Sequence, residues 1–163
     1  VTQGNALLKN RVGSQTAIHG SAKPTALIDE VLHSLVGVNL GIIENDYSLK
    51  NAYAQYFIRA GYSVYLIPHD ENEFTEYLAE LPELHFILSD FRLGERNGIF
   101  FIQKLREEFN EDIPACIVTA DTSPQHLQLF DKLNIQVLYK PIDIQSIESF
   151  IAKSLQPTQM TLN

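Results

Sequence analysis

At 163 residues the chain has room for one well-buried domain rather than two, and 45% hydrophobic with 20% charged residues excludes a wholly disordered or fibrous molecule. Twelve Lys and Arg against twenty Asp and Glu give a net charge of −8 with no basic run, so no direct nucleic-acid partner is expected. The single cysteine, Cys116, excludes an internal disulfide or cysteine-built zinc site, and no apolar stretch is long enough to span a bilayer, so a cytoplasmic setting without membrane contact is expected.

Residues 1–24 are rich in Gln, Asn, Gly, Ser, Thr and Ala and read as a linker. From Thr25, the apolar residues Leu27, Ile28, Val31, Leu32, Leu35 and Val36 fall at the spacing of an amphipathic helix that stops at Gly37. The expected organisation is a linker with this helix over 1–36, one domain over 37–155, and a short tail over 156–163. Whether the helix makes a homodimer is left open.

Beyond Gly37, short apolar runs alternate with helical patterns. Strands are predicted at Val38–Ile43, Ser63–Ile67, Leu84–Leu88, Ala115–Val118 and Gln136–Leu138, and helices at Ser48–Arg59, Glu73–Leu81, Gly98–Phe109, Pro124–Leu133 and Asp143–Leu155. Five βα units with right-handed crossovers imply an α/β fold, a doubly wound five-stranded parallel sheet with helices on both faces. In the flavodoxin-like order 2-1-3-4-5, ligands sit beyond the carboxyl ends of strands one and three.

Those ends are polar. The first runs into Glu44, Asn45 and Asp46, the third into Ser89 and Asp90, the fourth into Thr119, Ala120 and Asp121, and the fifth into Lys140 and Pro141. Carboxylates on neighbouring strands repel unless a hard cation sits between them, and Mg²⁺ takes one or two carboxylates while leaving room for a phosphate oxygen. A lysine and a hydroxyl suit the remaining phosphate oxygens. Phosphoryl transfer to Asp90 is the chemistry this set suggests.

The runs Ile-Ile-Glu-Asn-Asp at 42–46, Leu-Ser-Asp-Phe-Arg-Leu at 88–93 with Gly98, Ile-Val-Thr-Ala-Asp at 117–121 and Tyr-Lys-Pro at 139–141 are each weak and together specific. In their order and spacing the segment from Val38 to about Leu155 resembles the receiver domains of two-component phosphorelays. The resemblance implies that Asp90 accepts the phosphoryl group, Glu44 and Asn45 take the places of the Mg²⁺-holding acidic pair, and Arg92 offers its backbone carbonyl to the metal. It further implies that Thr119 is the switch hydroxyl, Ala120 the small residue that leaves the site open, and Lys140 the phosphate-pairing lysine, joined to Pro141 by a cis bond. The expected partner is a histidine kinase or histidine-phosphotransfer protein, the domain acting as switch or relay rather than as a stand-alone enzyme. The wording of the motifs is most similar to receivers attached to hybrid sensor histidine kinases, so the parent could be the cytoplasmic part of a membrane sensor.

Two departures from that pattern stand out. Asn45 can offer only a neutral carbonyl, so weaker Mg²⁺ binding is expected unless Asp46 turns inward, and Val137 stands where many receivers carry a switch aromatic. A degenerate receiver that only docks proteins is therefore the competing reading. An aspartate-nucleophile phosphatase would need an Asp-x-Asp motif after the first strand, and an FMN binder a phosphate cradle there; Glu44-Asn45-Asp46 supplies neither. Asp46 is as well suited to capping the first helix as to the site. Arg92 and Asp121 are expected to pair across the phosphorylation site. The five histidines, His126 among them, are scattered and share no ligand spacing, and His33 on the proposed helix is expected at the surface or in packing; Cys116, Phe100, Phe101, Leu105 and Phe109 are expected to pack the core.

Overall fold

The computed structural model describes residues 37–156. The elements run β1 (Asn39–Ile43), α1 (Tyr47–Arg59), β2 (Ser63–Leu66), α2 (Glu71–Leu78), β3 (Phe86–Asp90), β4 (Arg92–Leu93), β5 (Arg96–Asn97), α3 (Gly98–Phe109), β6 (Ala115–Thr119), α4 (Pro124–Lys132), β7 (Gln136–Tyr139) and α5 (Ile144–Ser154). Five strands form one parallel sheet in the order β2-β1-β3-β6-β7, which is the doubly wound arrangement the alternating pattern implies. The expected helix at 25–36 and all but the first residue of the 156–163 tail lie outside the described residues.

Period-two alternation divides the central strands between two cores. Leu40 and Ile42 of β1, Phe86 and Leu88 of β3, and Cys116 and Val118 of β6 pack with Tyr53 and Phe57 of α1 and Ile147 and Ile151 of α5. Ile43, Ile87, Ala115 and Ile117 face the other way, against Phe74 of α2, Phe101, Ile102 and Leu105 of α3, and Phe130 of α4. Cys116 is fully buried, as expected, and burial pushes its thiol pKa up, leaving it a core hydrophobe rather than a reactive group.

Local chemistry sets the helix starts. Asp46 caps α1 by accepting the Leu49 N–H at 2.8 Å; Asp70 accepts the Asn72 and Glu73 N–H groups at the head of α2, Asn97 that of Phe100 at α3, and Asp143 that of Ser146 at α5. The Asp70 cap moves α2 to Glu71–Leu78, earlier than the 73–81 read from apolar spacing. At the other end of α3, Asn110 adopts a left-handed φ of 48°, and its N–H turns back to the helix carbonyls. The sequence reading also missed a small antiparallel hairpin directly after β3, in which β4 pairs with β5. Its two-residue strands are too short for any periodicity to show.

Candidate functional site

The carboxyl ends of β1, β3, β6 and β7 meet at one edge of the sheet. Ladder hydrogen bonding carries β3 through Asp90, two residues further than the apolar run suggests, and β6 through Thr119, one residue further. Their register sets Asp90 opposite Val118 and Thr119 opposite Tyr139. The Lys140 N–H donates to the Thr119 carbonyl at 2.9 Å, so the lysine leaves the sheet beside the threonine, and the Lys140–Pro141 bond is cis as expected. Asp90, Arg92, Thr119, Ala120, Asp121 and Lys140 line a single cleft of about 390 Å³.

Within it, Lys140 Nζ donates to Asp90 Oδ1 at 3.1 Å, the same oxygen that accepts the Phe91 N–H at 3.0 Å. The Asp90 side chain is only 12% exposed. Ser89 and Gly98 hold it there: the buried Ser89 hydroxyl donates to the Asp90 carbonyl at 2.8 Å, and the Gly98 N–H donates to the Phe91 carbonyl at 2.8 Å. A Cβ at Gly98 would stand 2.6 Å from Ser89 Oγ and collide with the Asp90 carbonyl oxygen, so this position requires glycine for close approach.

Glu44 is buried at the end of β1, and its Oε1 accepts the Asp46 N–H at 2.9 Å. Burial pushes its carboxyl pKa up; the Asp46 N–H opposes this, and the charge of Asp90 adds to the upward push. The Tyr53 hydroxyl of α1 is also pushed up, chiefly by burial and then by the charges of Glu44 and Asp90. Asn45 is exposed, and Asp46 is spent on the helix cap rather than turned inward.

Among the described residues no group of three or more His, Cys, Asp or Glu is placed to hold a metal ion. Glu44 and Asp90 are near enough for their charges to repel, and carboxylates so placed suit a hard cation that takes oxygen ligands.

The expected Arg92–Asp121 pair does not form. Asp121 is occupied within its own loop: Oδ1 accepts the Ser123 N–H at 2.8 Å and Oδ2 lies 2.9 Å from His126 Nδ1. Among the described residues no ion pair reaches Arg92, which lines the cleft from the exposed side of β4. His126, to which its spacing gives no role, thus belongs to the site's immediate surroundings. A His five residues after an Asp across a helix start was the available signal, and it is weak.

At the switch point of this parallel α/β sheet, an aspartate paired with a lysine and a buried threonine line one cleft, and a buried glutamate ends the neighbouring strand. The family model of the response regulator receiver domain matches residues 40–152, and the chain belongs to that family. No curated protein matches. Among solved structures, the chain is similar to the chemotaxis response regulator CheY4 of Vibrio cholerae at 17% identity and a TM-score of 0.60, covering 73% of this chain and 98% of that one. It is also similar to the receiver domain of the hybrid histidine kinase CckA at 19% identity and 0.57, covering 72% and 99%. The receiver domain of HemR from Leptospira biflexa matches at 17% and 0.61, covering 75% and 97%. At these identities the likeness establishes the fold.

Proposed function

We propose that the domain is a phosphoacceptor: Asp90 receives a phosphoryl group from a phosphohistidine of a histidine kinase or histidine-phosphotransfer protein, and the domain serves as switch or relay. The observation that carries this reading is the Asp90–Lys140 contact at 3.1 Å in the cleft that Thr119 also lines. An Asp90 carboxylate oxygen attacks phosphorus, the P–N bond breaks, and the departing imidazole nitrogen keeps the electron pair and takes a proton from solvent. Lys140 meets the charge that develops on the phosphoryl oxygens, and Thr119 offers a hydroxyl to one of them. Held by Glu44, Asn45, Asp90 and the Arg92 carbonyl, Mg²⁺ would neutralise the carboxylates and the incoming phosphoryl oxygens. Ala120 keeps the mouth of the cleft open.

No helix among the described residues is long and apolar enough to cross a membrane, which suits a cytoplasmic setting. Similarity to the CckA receiver suits a hybrid-kinase parent, and we take the domain to act with its phosphodonor rather than as a stand-alone enzyme. A docking module without phosphorylation is the second reading, favoured by the exposed, neutral Asn45 in the metal-holding pair.

Intact mass after incubation with acetyl phosphate, with and without Mg²⁺, separates the two. One phosphoryl adduct that needs both Mg²⁺ and Asp90, and is lost in Asp90→Asn, is the expected result. No adduct from acetyl phosphate or from phosphorylated kinases establishes the docking module instead.

A further inference from the structure

We propose that His126 is a positioning residue, tying the loop that carries Thr119 both to the phosphoacceptor strand and to α4. The inference rests on the phosphoacceptor reading for its consequence and on geometry for its substance.

The loop from Thr119 to Ser123 is a chain of hydrogen bonds. The Asp121 N–H donates to Thr119 Oγ1 at 3.0 Å, the Ser123 N–H donates to Asp121 Oδ1 at 2.8 Å, and His126 Nδ1 stands 2.9 Å from Asp121 Oδ2 and 2.8 Å from Ser123 Oγ. An ionised carboxylate only accepts, and the Ser123 N–H and hydroxyl together with His126 hold Asp121 below the usual carboxylate range. Nδ1 therefore carries the proton and donates to Asp121, with Ser123 Oγ sharing that N–H. One imidazole thus fixes the carboxylate whose own backbone fixes the Thr119 hydroxyl.

The same ring lies edge-on against Phe91, centroid to centroid 4.8 Å at 64°, and Phe91 in turn meets Phe130 of α4 at 5.4 Å. Phe91 directly follows Asp90, and its N–H bonds the Asp90 carboxylate. His126 consequently touches the end of β3, the loop after β6 and the core side of α4 at once. When the Thr119 hydroxyl turns to a phosphoryl group on Asp90, the pull passes through the Asp121 N–H and carboxylate to the imidazole and displaces the first turns of α4 against Phe91.

Two substitutions in the full chain separate the parts of the contact. His126→Phe keeps a ring against Phe91 and removes the Nδ1–H; His126→Asn keeps a donor near the place of Nδ1 and removes the ring. In the free protein, amide hydrogen exchange at Asp121 and Ser123 is expected to quicken about tenfold or more in His126→Phe and to stay within about threefold of wild type in His126→Asn. Unchanged exchange in His126→Phe, or equal acceleration in both variants, overturns the anchoring role.

With acetyl phosphate and Mg²⁺, His126→Phe is expected to take up the phosphoryl group as wild type does. Its phosphorylation-induced amide shifts over residues 124–132 should fall to less than about half of those in wild type, with recovery in His126→Asn. Full-sized shifts in His126→Phe overturn the coupling. An adduct missing from wild type itself overturns the phosphoacceptor reading, while the exchange data still decide whether His126 anchors the loop.

Discussion

Asp90 and Lys140 meet at 3.1 Å, yet they arrive on strands with very different support. β3 and β6 are buried almost to their last residues, enclosed on one face by α1 and α5 and on the other by α2, α3 and α4. β7 is an edge strand with no fully buried residue, and Tyr139 beside the lysine is 41% exposed. The Asp90 carboxylate is therefore set in a framework that cannot shift without breaking two cores, whereas its cation stands where small movements are cheap. Such a division is what the proposed switch would need.

The sharpest way to break this contrast is to remove equal kinds of side chain from the two regions. Phe101 is fully buried under β3, in edge contact with Phe74 and Phe100, and Phe101→Ala is expected to cost about 3–5 kcal/mol by urea unfolding. Tyr139→Ala on the edge should cost less than about 1 kcal/mol, since a half-exposed ring loses little on truncation. Equal costs would show that the edge is as firmly built as the centre.

Beyond its ladder with β6, β7 is steadied through a single cation that holds the loop leading into it. Arg106 of α3 donates from Nε to the Ile113 carbonyl at 3.0 Å, from Nη1 to Leu133 at 2.6 Å and from Nη2 to Asn134 at 3.1 Å, joining the loops on either side of β6 and α4. Arg106→Ala leaves these carbonyls without that partner and should cost about 2–3 kcal/mol, with fast amide exchange concentrated around residues 134–139. Uniform loss of protection across the sheet would show instead that Arg106 holds the whole domain.

A smaller effect is expected at the central side of the site, where Gly98→Ala forces a Cβ onto the Asp90 carbonyl and Ser89 Oγ. That substitution should cost about 1–3 kcal/mol by denaturant unfolding, and it should slow phosphoryl uptake on Asp90 more than stability explains. Normal uptake kinetics in the folded variant would mean that the Asp90 loop tolerates displacement after all.

The same contrast governs what could be read from sequence. The sheet order, the two-faced burial and the meeting of Glu44, Asp90, Thr119 and Lys140 were legible, because apolar runs of four to six residues leave few chain paths once crossovers are right-handed. The links that tie those residues down were not. Asp121 was assigned to Arg92 on position alone, but an aspartate three residues before Pro124 finds the Ser123 N–H and the His126 ring first, since neither needs a long side chain to be immobilised. Arg106 leaves no signal in the sequence, because its three carbonyl partners come from two loops remote from it along the chain. The β4–β5 hairpin and the early start of α2 escaped for a related reason: a hydrogen-bonded turn and an Asp cap leave no apolar period.

The smallest expected effect is a pH dependence that differs in sign between the two regions. In the centre, burial raises the Glu44 carboxyl above its ordinary value of 4.5, so the folded state holds that proton more tightly than the unfolded chain, and this residue adds stability as pH falls through the raised value. At the edge, the Ser146 N–H lowers the Asp143 carboxyl below its ordinary value of 3.8. The stability Asp143 contributes at the head of α5 is therefore present above the ordinary carboxylate range and is lost as pH falls through the depressed value. Asp143→Asn keeps a capping oxygen and removes the charge, so its unfolding midpoint should fall less steeply on acidification than that of wild type, with little difference near neutral pH. Glu44→Gln should do the reverse, falling more steeply because it no longer gains from taking up a proton. Parallel pH profiles for the two variants would mean that the carboxylate at the head of α5 and the one at the end of β1 share a single environment, against the separation of a buried centre from a loosely held edge.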